Sequence, residues 1–318
     1  MTTMVNLDAG ENIFFARELE FRKAQTYDVV KAPLKAFELI PVSTDAGAGA
    51  ESIVYEQYDE VGIAKVIANY ADDLPRADVK GKEFTARVKS VGNSYGYNLQ
   101  EVRAAQFAGK PLEQRKANAA ARSQREKWNR IAFYGDSTNN LQGLLTNVNI
   151  PESSAPDGAG DATTAWSTKT PDEILADLNA LANGIVTLTN GAEQPDTVVL
   201  PVAEYTLISS TPRSSTSDTT ILEYFLQNNP FINSVEWAAE LGAAELEANG
   251  VTRFTGSVAM AYRRSPDVLT LEMPVMFEQL PVQERGLEFV VPCHSRIAGV
   301  LIYYPLAIAF MDSIGDLD

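Results

Sequence analysis

Asn98-Leu99-Gln100-Glu101-Val102 begins, and Arg125-Glu126-Lys127-Trp128-Asn129-Arg130-Ile131-Ala132-Phe133-Tyr134-Gly135-Asp136 ends, the clearest helical run in this 318-residue sequence. Asn98 reads as an N-cap and Glu101 as its reciprocal acid, a pair in which each side chain satisfies a backbone N–H of the other. Leu99 and Val102 start an apolar stripe that Ala117, Ala121, Trp128 and Ile131 continue at helical spacing. Gly109-Lys110-Pro111 should kink or interrupt the run, because proline removes a backbone donor. Unbroken, the 37 residues from 98 to 134 would span roughly 55 Å at about 1.5 Å each. That length predicts a plate- or wedge-like subunit built along a spine.

On the N-terminal side of the spine, residues 51–92 read as two β segments with a charged tip between them. Glu83-Phe84-Thr85-Ala86-Arg87-Val88-Lys89 alternates polar with apolar, which puts Phe84, Ala86 and Val88 on one face. Ile53-Val54-Tyr55-Glu56-Gln57-Tyr58 is β-branched and aromatic. The tip, from Asp72 to Gly81, carries Pro75, three acidic residues (Asp72, Asp73 and Asp78) and two basic ones (Arg76 and Lys80). A long two-stranded ribbon is marginal alone in water and needs a surface to lie on. Before it comes an extended arm, with alternation at Glu18-Leu19-Glu20-Phe21-Arg22, a short extended piece from Leu34 to Ile40, and a small-residue hinge at Ala46-Gly47-Ala48-Gly49-Ala50.

On the C-terminal side, residues 152–168 are a loop by composition. Thr170, Pro171 and Glu173 then open a second helix with cap, first-turn proline and capping-box acid. Its buried stripe should be Ile174, Leu175, Leu178, Leu181, Ala182 and Ile185. Asp196 to Leu200 reads as a strand. Short helices are expected at Val202 to Ser209, Ile221 to Gln227 and Trp237 to Glu247. Val268 to Met273, Leu287 to Val291 and Ala298 to Phe310 read as strands, with Pro274, Pro281 and Pro292 at their starts and edges. The fold class is α+β.

Composition excludes several functions. Hydrophobic residues make up 45% and charged residues 21%, enough for a folded core. Asp and Glu number 42 against 26 Lys and Arg, a net charge of −16, which argues against nucleic-acid binding through the global field. Ten of the eleven lysines precede residue 150, and eight basic residues crowd the stretch from Glu101 to Arg130, so basic elements of one copy could face acidic elements of another. Cys293 is the single cysteine and His294 the single histidine, so neither a disulfide framework nor a histidine metal site is expected. Met1 to Gly10 lacks a signal-peptide pattern, and the apolar stretch from Ile297 to Phe310 is short for a membrane span and broken by Pro305.

Catalytic patterns fail on their surroundings. Gly92-Asn93-Ser94-Tyr95-Gly96 matches a nucleophile elbow, with His294 following in the chain. An elbow needs its serine on a sharp turn from a buried parallel strand into a helix. Here the preceding strand alternates with charges and the helix starts about four residues late, so the segment reads as a glycine-rich junction. Cys293 and His294, as neighbours on an extended segment, point to opposite faces and cannot form a catalytic pair. Asp136-Ser137-Thr138-Asn139-Asn140 starts like a calcium loop, but Leu141 stands where glycine is required. Turn or cap chemistry explains it. No cofactor and no enzymatic activity are expected; a serine hydrolase using Ser94 is the distant alternative.

The order of arm, β ribbon, spine helix and mixed domain with returning C-terminal strands resembles the major capsid proteins of tailed bacteriophages, with the Hong Kong ninety-seven-like (Johnson) fold. The stretch from Arg125 to Asp136, followed by Leu141-Gln142-Gly143-Leu144-Leu145-Thr146-Asn147, is similar to the end of that family's spine helix and its continuation. Tyr262 to Leu269 and Leu287 to Pro292 resemble late strands of a subgroup. The resemblance implies an N-arm over 1–49, an E-loop over 50–93, a P-domain over 94–192, an A-domain over 193–285, and a return to the P-domain over 286–318. It implies pentamers and hexamers of this chain closing an icosahedral shell around double-stranded DNA, assembled in the bacterial host cytoplasm. Its partners would be a portal and separate scaffolding or decoration proteins, with packaged DNA touched weakly and no membrane. Some members cross-link lysine to asparagine between subunits; no such pair is assigned here. Arg76, Lys80, Lys82, Arg87 and Lys89 on the ribbon are expected to face an acidic P-domain surface of the adjacent subunit. An encapsulin-like nanocompartment shell is the alternative within the same fold.

Overall fold

A computed structural model describes residues 29–63, 65, 76–109, 112–160, 163–214, 216 and 218–315. The expected alternation at 18–22 and most of the ribbon tip lie outside the described residues. The chain divides into two units, 1–33 and 34–318. Of the first, residues 29–33 are exposed and carry no regular secondary structure. Everything below concerns the second.

Leu34 to Ile40, expected to be extended, instead contains a single helical turn, α1 (Ala36–Leu39). Its Ala36 N–H donates to Asn129 Oδ1 at 2.9 Å, and Ala36, Leu39 and Ile40 are buried. Burying three apolar side chains on the spine outweighs the extended preference next to Pro33 and Pro41. After β1 (Val42–Ser43) come the ribbon strands β2 (Ser52–Val61) and β3 (Asp78–Arg87), antiparallel from Ser52↔Arg87 to Val61↔Asp78.

The next strand, β4 (Lys89–Asn98), runs directly into α2 (Leu99–Ala108). The capping box is formed as expected: Glu101 N–H donates to Asn98 Oδ1 at 2.8 Å and Asn98 N–H to Glu101 Oε2 at 3.2 Å. The expected break falls at Gly109, whose φ of 63° ends α2, and the spine proper is α3 (Leu112–Tyr134). At about 1.5 Å per residue α3 is about 35 Å long, so the continuous 55 Å rod is not formed. Trp128, Ile131, Ala132 and Phe133 of α3 enter the main core, while Ala120 and Gln124 face β4. Gln124 Nε2 donates to Asn93 Oδ1, and Asn93 Nδ2 to the Ala120 carbonyl, both at 2.9 Å.

The chain past α3 folds back over its C-terminus. Leu144 N–H donates to the Ala132 carbonyl (2.8 Å) and Leu145 N–H to the Phe133 carbonyl (2.9 Å), satisfying orphan groups of the last turn. Gly143 is required there: a Cβ would lie 2.2 Å from Gly135 N. Asp136 caps a 3₁₀ turn at Ser137–Asn139, which is the turn chemistry expected in place of a calcium loop.

β5 (Glu152–Ser154) lies within the expected loop, and α4 (Pro171–Leu188) follows it. All six residues of its expected stripe are buried, and Asp177, absent from that stripe, is buried with them. Glu173 Oε2 accepts from the backbone N–H and the hydroxyl of Thr170, both at 2.7 Å. Glu173 also accepts from Ala159 N–H; that bond first, then those to Thr170, hold its pKa down to about 2.

The remaining elements are β6 (Thr197–Leu200), α5 (Val202–Ser210), α6 (Ile221–Asn228), β7 (Ser234–Trp237), α7 (Ala243–Ala248), β8 (Ala259–Tyr262), β9 (Leu269–Glu272), β10 (Val275–Gln279), β11 (Gln283–Arg285), β12 (Glu288–Ile297), β13 (Gly299–Ile302) and β14 (Ile308–Asp312). Two expectations need correction. Trp237 to Glu247 is not one helix: Trp237 ends β7, paired in parallel with β6, and Gly242 separates a 3₁₀ turn from α7. Ala298 to Phe310 is two strands, parted by a 3₁₀ turn that Pro305 opens.

Three sheets organise this unit besides the ribbon. A five-stranded sheet runs β5-β14-β8-β6-β7, with α4, α5 and α6 packing a core against it. A three-stranded sheet runs β1-β9-β13 and joins the spine in the main core. In the third, β12 is central: β4 pairs along its whole length, from Glu288↔Asn98 to Ile297↔Lys89, while β10 and β11 share its other edge. Pro292 therefore sits inside a central strand rather than at an edge. Its carbonyl accepts from Leu280 N–H at 2.9 Å, on the side where β10 and β11 part, so its missing N–H takes nothing from the ladder to β4.

Candidate assembly surface

The ribbon is held at its base, and its described strand residues beyond Tyr55 and Phe84 are exposed. Cross-strand pairing sorts its side chains into two faces. Ile53/Ala86, Tyr55/Phe84, Gln57/Lys82, Asp59/Lys80 and Val61/Asp78 share one face; Ser52/Arg87, Val54/Thr85, Glu56/Glu83, Tyr58/Gly81 and Glu60/Val79 share the other. On the first face Ile53, Tyr55 and Ala86 pack onto Val88, Ala298 and Leu301. Tyr55 stacks on Phe84 (centroids 5.1 Å apart), meets Tyr303 edge-on (4.9 Å), and donates from its hydroxyl to the Ile302 carbonyl at 3.3 Å. Burial raises the pKa of both tyrosines. Each aromatic pair contributes about 0.5–1.5 kcal/mol beyond its buried area.

Past Tyr55 and Phe84 the strands are exposed on both faces. Tyr58 is 65%, Val79 57% and Ile63 78% exposed. Apolar residues left in water on a ribbon with two open edges mark a surface that a partner covers. A cleft of about 540 Å³ lies at the ribbon's base, lined by Phe84 and Tyr303 together with Asn140, Gln142, Asn147 and Asn149.

The five basic residues expected to act together are divided by this geometry. Lys80 and Lys82 share the anchored face, Lys82 Nζ lying 4.7 Å from the Phe84 ring centre. Arg87 belongs to the opposite face, opposite Ser52. Arg76 precedes β3, and Lys89 starts β4 opposite Ile297. Sequence reading also left the Glu56/Glu83 pair unremarked; the pairing register that would have shown it depends on the length of the ribbon's connection.

The enzymatic alternatives lose their geometry. Ser94 is in the middle of β4, opposite Pro292, and not on a strand-to-helix turn. The glycines around it serve the ladder: a Cβ at Gly92 would come 3.3 Å from the Cys293 carbonyl oxygen, and one at Gly96 3.1 Å from that of Phe289. Cys293 is buried, and burial pushes its thiol pKa up, away from the thiolate. His294 turns to the other face, where Nδ1 lies 3.0 Å from Glu278 Oε1. Among the described residues no group of His, Cys, Asp or Glu is placed to hold a metal ion, and no helix is long and apolar enough to cross a membrane.

The family model described as major capsid protein matches residues 62–314. The fold is shared with the capsid of Myoviridae phage XM1 at 18% identity, over 95% of this chain and 99% of that one, with a TM-score of 0.79. Mycobacterium phage Ogopogo follows at 12% identity over 95% and 99% (TM-score 0.60), and a virus-like particle from Pyrococcus furiosus at 14% over 87% and 91% (TM-score 0.50). No curated protein sequence matches the chain. The chain belongs to the major capsid protein family, whose members form the icosahedral shells of tailed bacteriophages, and it has the Hong Kong ninety-seven-like fold.

Proposed function

We propose that this chain assembles through pentamers and hexamers into a shell around double-stranded DNA in the bacterial host cytoplasm, joined by a portal and by separate scaffolding or decoration proteins. In this reading residues 1–49 are the N-arm, 50–93 the E-loop, 94–192 the P-domain, 193–285 the A-domain, and 286–318 the return to the P-domain. The observation that carries it is the ribbon, whose described strand residues beyond Tyr55 and Phe84 are all exposed. Covering them on a sister copy couples folding to assembly. The net charge of −16 suits a container whose wall lets packaged DNA slide.

Arg76, Lys80, Lys82, Arg87 and Lys89 are the cations assigned to an acidic surface of the adjacent subunit, with Lys80 and Lys82 on the anchored face of the ribbon and Arg87 on the other. Expression followed by sizing and electron microscopy should give closed shells or capsomers. Lys80→Glu with Lys82→Glu should lower shell yield by about tenfold, the effect of some 1.4 kcal/mol lost per assembled contact. Wild-type protein that stays monomeric at high concentration would remove the reading, and undiminished shells from the double variant would remove the role of the lysines.

The likeness to the Pyrococcus furiosus particle supports a second reading, a nanocompartment shell. The contents of shells purified from a native source separate the two: double-stranded DNA supports the capsid, and a protein cargo supports the compartment.

A further inference from the structure

At the foot of the ribbon the start of β2, the end of β3, the start of β4 and the end of β12 meet around a cleft of about 590 Å³. Pairing register brings basic side chains to it. Arg87 is opposite Ser52 and Arg296 opposite Ser90, so each couple shares a sheet face, with Cα atoms about 4.5–5.5 Å apart. Lys89 adjoins Ser90, and Val88 alone separates it from Arg87. Arg87, Lys89 and Arg296 all line the cleft together with the two serines, and the acid among the lining residues is Glu51.

The subunit does not neutralise these cations itself. Among the described residues none of the three is in an ion pair. Arg296 donates from Nη1 to the Ala48 carbonyl, while its Nε is buried without a partner. Three cations against one carboxylate, in a chain whose net charge is −16, repel one another until an anion lies between them. The donors decide which anion. Two guanidinium groups present planar forks, the ammonium three rotating donors, and the serines two hydroxyls. A carboxylate offers two oxygens and one charge to this set. A phosphate group offers three or more oxygens, carries about −1 as a diester and −1.5 to −2 as a monoester, and pairs bidentately with arginine. It can engage all three cations at once, and the cleft leaves room for water or for the group esterified to it.

We infer that this cleft is a phosphate site, with Arg87, Lys89 and Arg296 as its cations and Ser52 and Ser90 as its neutral donors. Free phosphate and the backbone phosphates of nucleic acid share this chemistry. The site goes beyond the assembly reading and does not rest on it, although phosphate and an acidic group of an adjacent subunit would compete for Arg87 and Lys89.

The test is a titration of the full-length protein with inorganic phosphate, against chloride at matched ionic strength. Calorimetry should show saturable binding, and the melting temperature should rise with phosphate, as it must when a ligand binds the folded form. Arg87→Gln with Lys89→Gln should weaken binding by at least about tenfold. Arg296 is kept in that variant because it also holds the Ala48 carbonyl. Glu51→Gln should tighten binding about threefold, a gain that damage to the fold cannot produce. Acetate should bind at least about tenfold more weakly than phosphate. A short DNA duplex separates the two sources. Duplex binding that the double variant weakens alongside phosphate binding assigns the site to nucleic-acid phosphate, and phosphate binding weakened alone assigns it to the free anion. A phosphate response no larger than that to chloride, undiminished binding by the double variant, or acetate binding as tightly as phosphate would overturn the inference. None of these readouts needs shells, so a failed assembly reading leaves them intact.

Discussion

Asp177→Ala should cost the folded subunit about 3–5 kcal/mol, the loss expected when one member of a buried ion pair is removed and the other charge stays behind. Lys169 Nζ lies 2.7 Å from Asp177 Oδ2, with side-chain exposures of 1% and 2%. Trp166 Nε1 donates to the same oxygen at 3.0 Å, so the carboxylate organises two donors beneath α4. Lys169→Met combined with Asp177→Leu should recover most of that loss, because an apolar pair of similar volume avoids desolvating two charges. What remains is the unpaired Trp166 N–H, about 1–3 kcal/mol. Urea unfolding of unassembled subunits measures all three. A single Asp177 variant as stable as wild type would show that the pair is not stabilised by its burial in the way described.

Trp128→Ala is the second large effect, again about 3–5 kcal/mol, because the ring is 2% exposed and its removal leaves a void between the spine and two other elements. The ring meets Phe37 edge-on at 5.9 Å and donates from Nε1 to Ser295 Oγ at 3.0 Å on β12. Trp128→Phe should cost roughly 1–2 kcal/mol: most of the apolar contact survives, and Ser295 keeps its own bond to the Val91 carbonyl at 3.3 Å. Thermal unfolding monitored by circular dichroism compares the two. Equal damage from both would place the energy in the hydrogen bond rather than the ring.

Local chemistry was legible in the sequence and long-range pairing was not. The Asn98/Glu101 and Thr170/Glu173 capping boxes, the break at Gly109, and the stripe of α4 depend on residues within a turn of each other, and all are formed where their patterns stand. The shell-protein fold was legible because the order of elements is itself a pattern, which the family match bears out. By contrast, β4 looked like a junction because its partner, β12, lies 190 to 208 residues away and contains a proline. The helical turn at Ala36–Leu39 depends on the spine far along the chain, where Ala36, Leu39 and Ile40 are buried and Asn129 accepts from the Ala36 N–H. On the assembly surface, the basic residues were visible as composition, but their distribution over two faces follows from a register that no local pattern encodes. The Lys169–Asp177 pair was hidden for a related reason: an acidic residue on an apolar helix stripe reads as exposed until its partner is found.

The strand β14 lies inside the five-stranded sheet, between β5 and β8, with Ile308 and Phe310 fully buried. Synthesis runs from the N-terminus, so every other strand of that sheet has left the ribosome before the one that closes it. A polypeptide cut short before residue 308 lacks the strand that joins β5 to β8, leaving β5 without its sheet partner and one edge of β8 open.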